Sequence, residues 1–184
     1  MQTEVVLPST KLSSFVSGYF LVNVEKGEDD ISLRPYESDV SLGIPLGKPF
    51  YYYAGPCYGE FEEVPFSIFD KPLMFWDSKA IDCFSIKGNA KVVFIIFTDL
   101  GLQFLLHDRN PDFRDAIIPF SRLGLPAFGL IVKRKLRFAT DHSSGLKVIE
   151  EELLRFFNRF QFDESHQAEI DLDLEENGDF PVMP

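Results

Sequence analysis

Three histidines, two cysteines and a cluster of aromatic and charged side chains are the residues in this chain that could do chemistry. His107, His142 and His166 stand far apart in sequence. None forms the HxH or HxxxH spacing that brings two imidazoles onto one ion, and a cupin-type metal site would need two close histidines, a glutamate and a further histidine. Neither a metal nor another cofactor is expected. Cys57 and Cys83 lack a CxxC spacing and histidine neighbours, a pattern of two free thiols in a reducing cytoplasm rather than of a disulfide. Asp171-Leu172-Asp173-Leu174-Glu175 has the acidic alternation of a calcium loop, but Glu176 stands where the sharp turn needs glycine. The pairs Glu62-Glu63 and Asp29-Asp30 sit beside turn signals and read as solvated faces rather than acid/base couples. There is no GxSxG, no phosphate loop and no GxGxxG, so no nucleophile or nucleotide motif points to catalysis.

Binding is better served. In an extended strand through Phe50, Tyr51, Tyr52 and Tyr53, Tyr51 and Tyr53 share one face while Phe50 and Tyr52 share the other. A tyrosine offers a flat apolar surface with a hydroxyl, which suits a small-molecule cavity. Tyr51, Tyr53, Trp76, Arg34 and Tyr36 are therefore the candidate ligand-binding residues, the alternative being ordinary core with some surface tyrosines. Lys133, Arg134, Lys135 and Arg137 cluster on a predicted helix, either as a wetted face or as a contact for an anion or partner.

The elements that must position these residues fall into two textures. Between residues 12 and 97 the chain reads as six to eight short strands, at the spacing of a sandwich or barrel. Phe15–Val24 is the first. Two short strands follow around Arg34-Pro35. Hairpins are expected across Gly55-Pro56, between Pro72–Trp76 and Ala80–Lys87, and at Gly88-Asn89. Lys91–Asn110 is the clearest junction. Val92 to Phe97 form a run typical of a strand covered on both faces, Thr98 and Asp99 are helix-starting residues, and Leu102, Leu105 and Leu106 fall at helical spacing. Helices are then expected near Ser121–Leu125, over Leu130–Phe138 and, starting from a cap at Ser143 or Ser144, through Leu146, Ile149, Leu153, Phe156, Phe157 and Phe160.

Charge divides the chain again. No lysine or arginine follows Arg159, and residues 163–179 hold eight carboxylates, leaving only −3 of the net −11 for residues 1–160. The predicted organisation is a β-rich part over 1–97, a helical part over 98–160 and an acidic, mobile tail over 161–184. Phosphate contacts need clustered cations; basic clustering is limited to Lys133–Arg137 and the acidic tail would repel DNA, so the chain itself is not expected to bind nucleic acid. No apolar run reaches the length of a membrane helix and no signal peptide is apparent, which predicts a cytoplasmic protein without membrane contact.

Several of these positions match a family pattern. Pro8, Leu12, Val16 and Tyr19 give an opening P…L…V…Y strand, Arg34-Pro35-Tyr36 precedes Val40-Ser41-Leu42-Gly43, and Phe97-Thr98-Asp99-Leu100-Gly101 leads into Leu102–Leu106. With a long helix near Val148–Phe160, this order over residues 8–160 resembles the N-terminal sensor region of AraC-type bacterial transcription regulators. Asp99 stands where that family usually has proline, and the family's two helix-turn-helix units, which would begin past residue 160, are not in this chain. The resemblance implies an α+β fold, a cupin-like β-sandwich or barrel followed by helices. It also implies a small-molecule effector bound without catalysis, a homodimer formed through the sensor region, and DNA contact only through the missing half. Ile149, Leu153, Phe156 and Phe157 are the candidate dimer residues, with packing on the barrel as the equal alternative. The rival expectations are a small metal-free cupin-like enzyme of isomerase type and a standalone interaction protein.

Overall fold

In the computed structural model the described residues are 2–25, 31–33, 40–55, 66–76, 83–106, 117–123, 126–136, 139 and 141–158. The strands are β1 (Gln2–Val6), β2 (Val16–Val24), β3 (Ile31–Leu33), β4 (Ser41–Pro45), β5 (Phe50–Gly55), β6 (Ser67–Phe69), β7 (Leu73–Phe75), β8 (Cys83–Lys87), β9 (Ala90–Phe97) and β10 (Ile117–Pro119). The helices are α1 (Asp99–Leu106), α2 (Pro126–Leu136) and α3 (142–158), with a 3-10 turn over Phe120–Leu123. They build an α+β protein from two open antiparallel sheets and a helical layer. One sheet has six strands in the order β1-β2-β9-β4-β7-β10, and the other four in the order β3-β8-β5-β6. Among the described residues no helix is long and apolar enough to cross a membrane.

Strand β9 shows why its sequence is apolar without interruption. Val93, Ile95 and Phe97 enter one core, shared with the helices, while Ala90, Val92 and Phe94 enter another, shared with the smaller sheet. Antiparallel strands usually alternate apolar and polar because one face is wet; here both faces of the larger sheet are covered. Strand β7 divides the same way, with Met74 toward the helices and Leu73 and Phe75 toward the second sheet.

The layer between the sheets is made of rings. Phe69 lies 5.0 Å from Phe50 and 5.1 Å from Tyr52, and Phe84 lies 5.6 Å from Phe75 and 5.7 Å from Phe94, measured between centroids. Gly43 of β4 lets them close over the sheet. A Cβ there would stand 2.8 Å from the Phe75 ring and 3.0 and 3.1 Å from Phe69 and Phe94, closer than carbon atoms pack.

On the opposite face, α3 lays Ile149, Leu153 and Phe157 into the core at four-residue intervals, and α2 adds Phe128, Val132 and Leu136. The Phe157 ring stacks on Phe15 at 4.3 Å and 9°. Helix α1 is fastened at its start. Thr98 Oγ1 accepts the Gly101 N–H at 3.0 Å as an N-cap and donates to the Ser14 carbonyl at 2.6 Å, while the Thr98 N–H donates to the Phe15 carbonyl at 3.0 Å.

The expected number of strands is present, but several connections differ. Strand β8 pairs with β3 and β5, and β9 pairs with β2 and β4. Gly88-Asn89 therefore joins the two sheets and does not close a hairpin. Strand β7 likewise pairs with β4 and β10, not with β8. The Gly55-Pro56 hairpin lies partly outside the described residues. Strand β1 was not anticipated, and β10 returns the chain to the six-stranded sheet after α1, across the expected β/helix division at 97. The cap of α3 is Asp141 rather than Ser143 or Ser144: its carboxylate accepts the Ser144 N–H at 2.8 Å, and its own N–H faces Ser144 Oγ at 3.4 Å, a capping box. The acidic tail over 161–184 lies outside the described residues.

Candidate functional site

The sheet register brings together a polar groove at one end of the larger sheet. Asn23 pairs opposite Lys91, Val24 opposite Ala90, and Pro45 opposite Val92, so the end of β2, the exit of β4 and the entry to β9 converge. The Leu46 N–H donates to the Lys91 carbonyl at 2.8 Å. Gly47 and Gly88, at φ of 74° and 84°, turn the chain on either side, a conformation that side chains with a Cβ resist. The result is an open hollow of about 610 Å³ lined by Asn23, Val24, Glu25, Leu46, Gly47, Lys48, Asn89, Ala90 and Lys91, with Ala139 completing it from the approach to α3. Its polar equipment is two amides, two ammonium groups and one carboxylate, suited to hydrogen-bonding a small polar molecule.

His142, in the first turn of α3, is electrically coupled to this region. Burial lowers its pKa below the ordinary 6.5, and Lys91 lowers it further against the opposing influence of the Val22 main chain, Glu4 and Asp141. Its buried Nε2 has no hydrogen-bond partner. Deeper under α3, Glu150 accepts the Ser9 N–H at 2.8 Å. The fully buried Tyr19 phenol lies close enough to feel Glu150, and burial first and that carboxylate second push its pKa well above the ordinary 10.0. The contact does not reach hydrogen-bond geometry, and the Tyr19 hydroxyl stays unpaired, as does Ser9 Oγ. Among the described residues no three His, Cys, Asp or Glu side chains group as metal ligands would.

Of the binding residues expected from sequence, the described ones, Tyr51, Tyr53 and Trp76, do not converge. Arg34 and Tyr36 lie outside the described residues, as do Cys57, His107 and His166. Tyr51 and Tyr53 do share a face of β5, and Phe50 and Tyr52 the other, but it is Phe50 and Tyr52 that enter the space between the sheets, where rings fill it. Tyr51 is 53% exposed, and Tyr53 is buried on the face turned away from the ring layer. Trp76 is half-buried against the helix-side core, on the other side of the larger sheet. Of the proposed dimer residues, Ile149, Leu153 and Phe157 are buried within their own chain at 0–1% exposure, so their side chains offer no surface to a partner. Phe156 is half-buried and meets Phe128 and Phe157 edge to face. The groove residues Asn23, Lys48, Asn89 and Lys91 carried no signal in sequence beyond the turns at Gly47 and Gly88-Asn89.

No family model matches the chain, and no curated protein matches it. Among solved structures, the crystal structure of a point variant of apo ToxT from Vibrio cholerae strain SCE256 aligns with 96% of this chain and 69% of its own length, at 8% identity and a TM-score of 0.44.

Proposed function

We propose that this chain is the non-catalytic, effector-sensing and dimerising region of an AraC-type transcription regulator, built as a cupin-like sandwich, with the effector taken up in the polar groove at the Asn23/Lys48/Lys91 end of the larger sheet. The observation that carries this is the composition of the groove wall: three strand ends from the sheet and Ala139, two residues before the Asp141 cap of α3. A molecule held there touches both the rigid sheet and the root of the helix that packs on it. It can therefore favour one placement of α3 over another, which is what sensing requires of a binding site. The order of elements over residues 8–160 supports the same reading. Catalysis by a metal-free cupin-like enzyme would call for converging carboxylates, and the described groove lining holds one, Glu25.

Thermal-shift measurements against sugars and small polar metabolites test the proposal. A ligand at about a hundred times its Kd stabilises by about 2.7 kcal/mol, and Lys48→Ala or Asn23→Ala should remove the shift while leaving the unliganded Tm in place. Light scattering should give a dimer mass. A library without one stabilising compound, together with a monomer mass, sinks the reading.

A further inference from the structure

A second hollow, also about 610 Å³, lies on the outside of the helical layer between α2 and α3, lined by Ile131, Arg134, Lys135, Val148 and Glu151. Its floor is apolar: Ile131 is 40% exposed, and Val148 is half-buried. Its rim is positive. Lys135 and Arg155 both bond the Oε1 atom of the buried Glu152, and two cations on one carboxylate leave a positive charge over. Arg134 stands exposed beside them, and Glu151 is the opposing charge in the lining.

The chain carries a segment of complementary chemistry immediately beyond α3. Past Arg159 it has no cation, and Ile170-Asp171-Leu172-Asp173-Leu174-Glu175 alternates apolar and acidic residues. In an extended backbone that alternation places Ile170, Leu172 and Leu174 on one side and the carboxylates on the other. Reach is sufficient. Val148 lies ten residues before Asn158, the last described residue of α3, about 15 Å back along the axis, and any eleven-residue stretch, the number from 159 to 169, reaches at most about 36 Å when fully extended. Attachment to the same chain also gives an effective concentration far above that of a separate peptide.

We propose that the acidic segment 163–176 docks in the α2–α3 groove of its own chain, its leucines over Ile131 and Val148 and its carboxylates against Arg134 and Lys135. Docked there, it masks the exposed apolar strip of the helical layer, and any protein partner for that strip has to displace it. This inference stands apart from the effector reading, since the two grooves share no residue.

Zero-length carbodiimide cross-linking of the full 184-residue chain, followed by peptide mapping of the monomer, tests it. Amide links are expected from Lys135, or from Lys147 beside Val148, to the carboxylates of 163–176, at a yield that does not change on dilution and falls at about 1 M salt. Arg134→Glu should lower the yield about fivefold, the scale of reversing one exposed ion contact. Leu172→Asp adds negative charge yet should lower the yield as well, because it removes the apolar contact; a thermal melt of each variant that matches the parent Tm checks that folding is intact. Links spread evenly over Lys11, Lys48, Lys71 and Lys87, or a yield indifferent to both variants, overturn the docking. Links found only in cross-linked dimers overturn it too, by giving the groove to the segment of a second copy.

Discussion

Gly101→Ala separates a local rule from a tertiary one, because they predict opposite signs. Gly101 is the third residue of α1, and helix propensity alone favours alanine there by about 1 kcal/mol. The structure forbids it. A Cβ at Gly101 would lie 1.9 Å from the Phe15 carbonyl oxygen, 2.7 Å from its carbon and 3.0 Å from its Cα, whereas a carbon and an oxygen normally approach no closer than about 3.3 Å. The obstacle is backbone, and it is tied down: the Phe15 carbonyl accepts the Thr98 N–H, the Ser14 carbonyl accepts the Thr98 hydroxyl, and the Phe15 ring is stacked on Phe157. Relief means moving α1 off the chain at Ser14-Phe15. That loses two hydrogen bonds at about 1 kcal/mol each and adds overpacking strain of about 2 kcal/mol. Set against the propensity gain, the net loss is about 3 kcal/mol, or roughly 6–12 °C in Tm for a domain of this size. Urea titration and calorimetry of Gly101→Ala, with Gln103→Ala on the exposed face as a control expected within about 0.5 kcal/mol of the parent, measure it. A Gly101→Ala protein as stable as the parent, or more stable, refutes the reasoning.

Other outcomes follow from the cores and the buried titratable groups. Phe69→Ala removes the ring that meets Phe50, Tyr52 and Phe75 and should cost about 3–5 kcal/mol, read by urea titration. Tyr19→Phe removes a buried hydroxyl without a hydrogen-bond partner and should leave stability unchanged or raise it by about 1 kcal/mol at neutral pH. Because the folded state raises the Tyr19 pKa above 10.0, the unfolded chain releases that proton first, so stability should fall as pH rises past about 10, and less steeply in Tyr19→Phe. His142 runs the other way. Its folded pKa lies below 6.5, so the unfolded chain takes up the proton first. Its contribution is intact above that pH and is lost as pH falls below it, and a His142→Gln variant should show a shallower acid limb in Tm against pH.

Legibility in the sequence followed the range of the interaction. The strand-to-helix passage from β9 to α1 could be read because its signals are local: an apolar run, a threonine able to cap, leucines at helical spacing. The role of Gly88-Asn89 could not, because the same turn chemistry serves a hairpin and a crossing between sheets, and only the partners of β8 and β9 tell them apart. Strand β1 is exposed along most of its length and paired at one edge, so it carries almost no apolar alternation to betray it. At β5 the alternation of Phe50, Tyr51, Tyr52 and Tyr53 was legible, but the direction of each face was not, since period two fixes which residues share a side and leaves open what that side meets. The groove was illegible altogether: its walls come from residues 23–25, 46–48, 89–91 and 139, and no single stretch carries a pattern.

By itself, the sequence determined the alternation of apolar and polar residues in its strands and helices, the start of α1, the stripe on α3 and the concentration of negative charge after Arg159. Each depends on neighbours a few residues away. The tertiary structure alone decided that the larger sheet is covered on both faces and that rings fill the space between the sheets. It also decided that Ile149, Leu153 and Phe157 face inward, and that Asn23, Lys48 and Lys91 share a groove. Those outcomes depend on which strands pair and in what register, and pairing is settled by contacts between segments far apart along the chain.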